Sequence, residues 1–278
     1  MSNAGKLYVV ATPIGNLGDL SPRAQQTLGE VDHIAVEDTR HSGQLLTRFG
    51  INKPLISIHE HNERERTGGL IERLLAGESI ALISDAGTPL ISDPGFILVR
   101  AAREAGIAVS PIPGPSAAIA ALSVAGLPSD RFFFEGFLPH KKGARQKRLH
   151  EIAGETATLI FYESPHRIDG TLEDMVPIFG KDRQASLARE LTKLHETILT
   201  GSLEQLLQRV SEDANQRRGE IVLVVAGHQP DVLGISPEDE RVLNILLKEL
   251  PLKKAAKLTS EITGASRNEL YQLVLGRQ

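Results

Sequence analysis

Carboxylates, hydroxyls and glycines stand together in residues 84–95, which read SDAGTPLISDPG. Small residues let a flat ligand approach the backbone closely, and a carboxylate suits a ribose hydroxyl or a cation better than a phosphate. We therefore predict that Asp85 and Gly87 contact a ligand. Asp93 and Pro94 could equally well cap the next helix.

Two further polar clusters, residues 37–40 (EDTR) and residues 59–62 (HEHN), follow predicted strands. Carboxylates beside a guanidinium can hold a sugar hydroxyl and a phosphate together, and histidine adds a neutral base. The alternative is a set of hydrogen-bonded loop residues that hold two turns together. We predict no metal site, because zinc needs three or four ligands and the HxH pair supplies two.

Residues 141–148 (KKGARQKR) carry five basic side chains and no acidic one, in a chain whose net charge is -4. Such a run can attract a phosphate backbone while the rest of the protein repels it. The alternative is an ordinary solvated helix face. The overall charge argues against a protein that coats nucleic acid.

Two strand ends in the second half also carry candidate groups. Phe161 and Tyr162 could face an adenine ring, although sheet packing explains Phe161 equally well. Arg189 and Glu190 could form an internal salt bridge or contact a substrate.

Several classes of protein are excluded by what the sequence lacks. It has no cysteine, which excludes disulfides, thiolate metal sites and cysteine nucleophiles. It contains no GxGxxG after a strand, no GxxxxGK[ST] and no GxSxG, so the common nucleotide loops and the hydrolase elbow are absent. No apolar run is long enough for a membrane helix, and we expect a cytoplasmic protein without membrane contact.

The elements that must position these groups alternate along the chain. Short apolar runs alternate with amphipathic stretches up to about residue 227, which predicts an α/β fold. The polar clusters follow strand ends, where open α/β sheets bind ligands. We predict α/β domains at residues 5–114 and 115–230, the second with a mixed sheet, and a helical, helix-turn-helix-like tail at residues 236–278.

Six segments together resemble a known family: residues 13–16 (PIGN), 37–40, 84–95, 113–116 (PGPS), 161–164 (FYES) and 188–193 (ARELTK). They are similar to ribosomal RNA small subunit methyltransferase I, the bacterial 16S rRNA cytidine 2'-O-methyltransferases of the tetrapyrrole methylase superfamily. The resemblance covers Leu7 to about Gly227. It implies two α/β domains with S-adenosylmethionine in the cleft between them, no metal, and a homodimer. It also implies a cytidine in the decoding region of the small ribosomal subunit as the target.

The resemblance also implies roles for individual residues. Cofactor contacts are expected, together with Gly87 from the argument above, at Pro13, Asp85, Thr88, Ser116, Ala117, Phe161 or Tyr162, and Ala188. From the charge and position of the residues themselves, and not from the resemblance, we expect substrate contacts at Asn16, Arg40, Asn62, Lys141, Lys142, Arg145, Arg148, Arg167 and Glu190. The superfamily often shows Gly-Asp-Pro where this chain has Ser84-Asp85-Ala86, a departure that weakens a corrin or porphyrin substrate.

A 2'-hydroxyl is a poor nucleophile, so methyl transfer to it needs in-line placement and a nearby base. Glu37, Asp38 and His61 are the candidates for orienting or deprotonating the hydroxyl, and spacing does not choose among them. Only an unstacked nucleotide can enter such a pocket. Two alternatives stay open: methylation of a tetrapyrrole ring carbon, and a noncatalytic assembly factor that binds ribosomal RNA.

Overall fold

The computed structural model describes residues 5–229 and 235–276. The chain forms two compact units, one ending at His228 and one beginning at Gln229. The first unit contains both predicted α/β segments, and the second contains the predicted tail. Residue 230, the predicted end of the second segment, and residues 277–278 of the tail lie outside the described residues.

The first half of the larger unit is a parallel sheet with helical crossovers. Its strands lie in the order β3-β2-β4-β1-β5, and all their pairings are parallel. Apolar clusters cover both faces of this sheet, as a parallel sheet requires. The elements are β1 (Lys6–Val10), α1 (Pro22–Glu30), β2 (His33–Val36), α2 (Thr39–Arg48), β3 (Leu55–Ser57), α3 (Glu63–Leu75), β4 (Ile80–Ile83), α4 (Phe96–Glu104) and β5 (Ala108–Ile112).

The second half is the mixed sheet that the sequence predicted. Its strand order is β6-β7-β10-β8-β9, with β6 and β7 parallel and the other pairs antiparallel. The elements are α5 (Ala117–Val124), β6 (Phe132–Phe137), α6 (Lys142–Ile152), β7 (Thr158–Glu163), α7 (Ile168–Phe179), β8 (Gln184–Arg189), β9 (Thr197–Ser202), α8 (Leu203–Glu212) and β10 (Ile221–Val225).

The helix α7 could not be predicted from local helix propensity. It contains Gly170 near its start and Pro177 near its end, and both residues disfavour a helix. Its apolar face overrides them, because Leu172 and Met175 are completely buried in the core beneath the second sheet. Tertiary packing therefore decides this element.

The smaller unit is helical, as the sequence predicted. It contains α9 (Pro237–Leu246), α10 (Leu252–Thr263) and α11 (Arg267–Leu275). Ser236 and Asp239 form a capping box at the start of α9, and Gly264 ends α10 in a left-handed conformation. A small core of Leu243, Ala255, Ala256 and Leu270 holds the helices together.

Candidate functional site

A cavity of about 460 Å³ lies between the two sheets of the larger unit. We call it the main cleft. Carboxyl ends of parallel strands meet at one edge of the first sheet, so the loops after β1, β2 and β4 form one wall. The second sheet and the start of α5 form the other. The wall residues that the argument below uses are Ile14, Glu37, Asp85, Gly87, Thr88, Asp93, Ser116, Ala117, Tyr162, Ala188 and Val222.

Hydrogen bonds between loops fix the floor of the main cleft. The Thr12 amide donates to the Gly87 carbonyl at 2.8 Å, and the Gly87 amide donates back to Thr12 at 3.1 Å. The Thr88 hydroxyl donates to the Pro115 carbonyl at 2.9 Å. Gly87 has φ +81°, and a Cβ there would lie 3.3 Å from Ile14 Cγ2. A glycine is therefore required where these loops meet.

Two carboxyl groups in the main cleft have raised pKa values. Burial, and then the charge of Asp85, raises the pKa of Asp93 to about 6, although a hydrogen bond with Ser84 opposes the shift. Burial and the nearby carboxylates Asp85 and Asp93 also raise the pKa of Glu37. Each group therefore favours its neutral form more than an exposed carboxyl does.

Asp93 does not cap the following helix. The N-cap of α4 is Gly95, which has φ +126°, and Asp93 instead faces the main cleft. The neighbouring Leu90 and Ser92 have φ +72° and +67°. Non-glycine residues adopt such angles at a cost of about 1–2 kcal/mol each, and this strained turn is what aims Asp93 inward.

The Asp38 side chain does not face the main cleft but accepts hydrogen bonds from backbone amides. Its carboxylate accepts hydrogen bonds from the amides of Arg40 at 2.7 Å and His41 at 3.4 Å, which makes it the N-cap of α2. These bonds, together with the Arg40 side chain, lower its pKa. The Asp38 amide in turn donates to Asp85 Oδ1 at 3.3 Å, so Asp38 helps to orient a cleft residue without lining the cleft.

Of the two aromatic candidates on β7, the structure brings only Tyr162 to the cleft. Phe161 is completely buried in the core on the opposite face, because successive strand residues point to opposite faces. Burial raises the pKa of the Tyr162 phenol, which also hydrogen-bonds the Ala118 amide and Ser116. Phe134 and Phe137 hold its ring edgewise at centroid distances of 5.0 and 5.6 Å.

A second cavity of about 390 Å³, which we call the side pocket, adjoins the main cleft. The two cavities share the wall residues Ile14, Asp85, Ala86 and Glu220. Pro13, for which the resemblance implied a cofactor contact, lines the side pocket and not the main cleft. The side pocket also contains four residues of α2: His41, Gln44, Leu45 and Arg48.

Several predicted contacts lie outside both cavities. His61 is exposed and pairs edgewise with His59, and the side chain of Asn62 bonds the backbone of its own turn. Arg40 is 89% exposed in its side chain and pairs with Asp38. Asn16 accepts a bond from the Gly18 amide within its loop.

The basic residues 141–148 differ in their surroundings: some form ion pairs within the protein and others are exposed. The structure corrects the surface position expected for Arg145, which is buried and bonds Asp174 of α7 at 2.7 Å. Arg148 makes a two-pronged bond to Glu135 at 2.6 and 2.8 Å. Lys142 lies 3.9 Å from Asp174, whereas Lys141 and Lys147 are exposed and have no ion pair among the described residues.

Arg167 and Glu190 serve internal contacts near the second sheet. Arg167 donates to the Leu138 carbonyl at 2.7 Å and lies 3.4 Å from Glu163. Glu190 accepts from Lys193 at 2.9 Å and from the Glu220 amide at 3.0 Å. Burial opposes ionisation of Glu190, but these bonds outweigh it and lower its pKa.

Some cleft residues were missed by sequence reasoning. They are Ile91, Ser92, Phe137, Glu163, Leu191, Gly219, Glu220, Ile221 and Val222. The sequence pattern pointed only to residues that follow the carboxyl ends of strands. β10 runs antiparallel to β7 and β8, so Ile221 at its start stands opposite Glu163 and Arg189 at their ends. Their position at the amino end of an antiparallel strand could have predicted four of these residues: Gly219, Glu220, Ile221 and Val222.

Among the residues that the structure describes, no group of three or more histidine or acidic side chains is arranged to hold a metal ion. Within the same part of the chain, no helix is long and apolar enough to cross a bilayer.

Comparison with protein families gives two matches. Residues 6–207 match the family described as Tetrapyrrole (Corrin/Porphyrin) Methylases. Residues 234–278 match the family described as the RsmI C-terminal HTH domain.

Curated relatives match over nearly the full chain. Proteins named ribosomal RNA small subunit methyltransferase I from Pseudomonas aeruginosa and Xylella fastidiosa (strain Temecula1) are 59% and 58% identical over 278 and 271 residues. These alignments cover 99% and 98% of this chain and 99% of each relative. The protein of that name from Escherichia coli O157:H7 is 53% identical and covers 100% of this chain and 97% of the relative.

Solved structures support the fold. The methyltransferase CobJ aligns with a TM-score of 0.60 at 20% identity, covering 81% of this chain and 95% of that protein. Diphthine synthase aligns with a TM-score of 0.58 at 19% identity, covering 79% and 89%. At these identities the likeness concerns the arrangement of strands and helices alone.

Proposed function

Since this chain belongs to the tetrapyrrole methylase family, and within it to the ribosomal RNA small subunit methyltransferase I group, we propose that it methylates 16S rRNA. The methyl donor is S-adenosylmethionine. The acceptor is the 2'-hydroxyl of a cytidine in the decoding region of the small subunit. The observation that carries this proposal is the main cleft, where an apolar wall faces a row of carboxylates.

The residues of the main cleft fit S-adenosylmethionine in size and chemistry. Ala117, Tyr162, Ala188 and Val222 supply an apolar and aromatic wall for an adenine ring. Asp85, Asp93 and Glu37 supply acceptors for ribose hydroxyls and negative charge for a cation. Gly87 keeps the cleft open at a place where a side chain would press against Ile14.

When bound, S-adenosylmethionine would supply an electrophilic methyl group on a cationic sulfur, and it would leave as the neutral thioether. The protein must orient the hydroxyl and accept its proton. We assign proton acceptance to Glu37 or Asp93, because their pKa values are raised and they line the cleft. Asp38 caps α2 and His61 lies outside both cavities, which disfavours both for this role.

Cofactor binding is tested by calorimetry with S-adenosylmethionine. Asp85→Asn keeps the size of the side chain and removes its charge, so we expect affinity to fall about tenfold or more. Asp130→Asn is the matched control, because Asp130 is an exposed carboxylate outside the main cleft. Absence of binding to the unaltered protein would favour an RNA-binding assembly factor. Equal affinity in Asp85→Asn would remove Asp85 from the cofactor site.

Substrate class is tested with labelled donor. The protein is incubated with small ribosomal subunits from cells that lack it, and separately with a uroporphyrinogen-type acceptor. We expect label only in 16S rRNA, on the ribose of a cytidine, mapped by reverse transcription at low nucleotide concentration. Label only in the tetrapyrrole would overturn the proposal.

The resemblance also leads us to propose a homodimer. Light scattering at micromolar protein concentration measures the mass directly. A species near the monomer mass of 30.2 kDa would contradict the dimer and leave the assigned reaction unaffected.

A further inference from the structure

One face of α2 carries polar side chains that the fold leaves without partners. His41, Gln44 and Arg48 are spaced three and four residues apart, which places them on the same side of a helix. All three are exposed, and their side chains form no hydrogen bond or ion pair among the described residues. By contrast, Lys193 and Glu220, which also line the side pocket, form an ion pair with each other.

This face forms one side of the side pocket. Leu17 and Leu45 add apolar surface beside it, and the cavity measures about 390 Å³. Asp85, Ala86 and Glu220 form the wall that the side pocket shares with the main cleft. A ligand in the side pocket therefore meets a ligand in the main cleft at Asp85.

The charges across the side pocket differ from one end to the other. Arg48 is a cation without a partner, at the end of α2. Beside the shared wall, Lys193 lines the side pocket, donates a hydrogen bond to Glu190 at 2.9 Å and lies 3.1 Å from Glu220. Burial lowers the pKa of Lys193, but these carboxylates outweigh it and raise the pKa overall, so its charge is neutralised by the pairs.

We propose that the side pocket is the acceptor site and holds the target nucleotide of the RNA, with a phosphate on Arg48. This inference rests on the proposed function. The carboxylates Asp85 and Glu220 repel a phosphate and accept bonds from a sugar hydroxyl, so they turn the ribose toward the main cleft. His41 and Gln44 supply hydrogen-bonding groups for the remaining polar edges of the nucleotide.

Arg48→Ala tests this assignment, with Arg103→Ala as the matched control. Arg103 is an exposed basic residue in the last turn of α4, as Arg48 is in α2, so both variants lose the same charge at a helix end. We expect the KM for small subunits to rise roughly tenfold or more in Arg48→Ala, because a charge-assisted bond to phosphate is lost. The kcat and the affinity for S-adenosylmethionine should stay within about twofold of the control.

Two further measurements distinguish a failure of the acceptor-site inference from a failure of the proposed function. Arg48→Lys keeps the charge without the planar fork, and we expect an intermediate KM. Binding of 16S rRNA to protein saturated with S-adenosylhomocysteine should lose about one phosphate contact from its salt dependence in Arg48→Ala. If the unaltered protein methylates subunits while Arg48→Ala matches Arg103→Ala in both readouts, the acceptor site lies elsewhere. If the unaltered protein methylates no RNA, the proposed function fails and this inference fails with it.

Discussion

The helices α2 and α6 both carry basic residues, yet the fold uses them differently. On α6, Arg145 and Arg148 are bound by Asp174 and Glu135, so their charge holds the second half of the larger unit together. On α2, Arg48 has no partner among the described residues and faces a cavity. The basic run is the stronger signal in the sequence, but the isolated arginine is the one free to meet a ligand. What distinguishes the two helices is whether a basic side chain is free of a protein partner, and not how many basic residues the helix carries.

The largest expected effect is on Arg145. Arg145→Ala leaves Asp174, which is 2% exposed, without its main partner. Breaking a buried pair in this way costs about 3–5 kcal/mol of unfolding free energy. Urea unfolding measures the loss, and Asp174→Asn should be destabilised as well. If both variants unfold like the original protein, Arg145 is not structural and the contrast between the helices weakens.

Arg148 should show a smaller effect of the same kind. Its pair with Glu135 is two-pronged but only partly buried, with 34% of the arginine side chain exposed. Arg148→Ala should therefore lower the unfolding free energy by about 1 kcal/mol. The same urea titration measures it, and Lys147→Ala on the same helix is the exposed control. A larger loss in Lys147→Ala would reverse the interpretation of this surface.

The carboxylates offer a parallel contrast, because Asp38 is stabilised in its charged form and Asp93 in its neutral form. Burial raises the pKa of Asp93 well above the usual value of an aspartate, to about 6. Its contribution to stability is therefore complete below about pH 4 and is lost as the pH rises through about 6. Asp93→Asn should then be more stable than the original protein at pH 8, by on the order of 1 kcal/mol after solvent screening.

Thermal unfolding at several pH values measures the effect of Asp93→Asn. The stability difference should shrink as the pH falls from 8 to 4. The methyl transfer rate should also fall below about pH 6 in the original protein, because a protonated Asp93 accepts no proton. A stability difference that is the same at both ends of this range would contradict the buried, neutral form.

The smallest effect concerns the exposed lysines of α6. The double variant Lys141→Ala, Lys147→Ala removes the two charges without partners there. If they contact single-stranded phosphates, the slope of log affinity against log salt changes by about 1.4, with unfolding unaffected. Filter binding to 16S rRNA over a range of salt measures the slope. An unchanged slope would make the whole run an ordinary solvated face.

The alternation of short apolar runs with amphipathic stretches predicted the α/β fold and the mixed second sheet, because each strand is an apolar run bounded by turn formers. It did not predict α7, whose Gly170 and Pro177 hide a buried apolar face. The misplacement of Arg145 follows from that omission, since its partner Asp174 lies on α7. A pairing across 29 residues cannot be foreseen when the element carrying one partner is missing.

The candidate site shows the same division. The loops after β4 and β5 line the main cleft, since carboxyl ends of parallel strands share an edge, and their contacts with a ligand stay a prediction. Alternation along β7 could not choose between Phe161 and Tyr162, because apolar residues cover both faces of the second sheet. The roles of Asp38 and Asp93 were also not predictable, because N-caps of helices are decided by local geometry that both residues could satisfy.

The two backbone hydrogen bonds between Thr12 and Gly87 affect the affinity of the main cleft for a ligand. They join loops that follow two different strands, and they form within the protein itself. The conformational entropy of these loops is lost during folding, so ligand binding does not have to order them. The backbone at this place is rigid, so it selects ligands by shape. A ligand that is larger by one atom clashes with a surface that does not move to accommodate it.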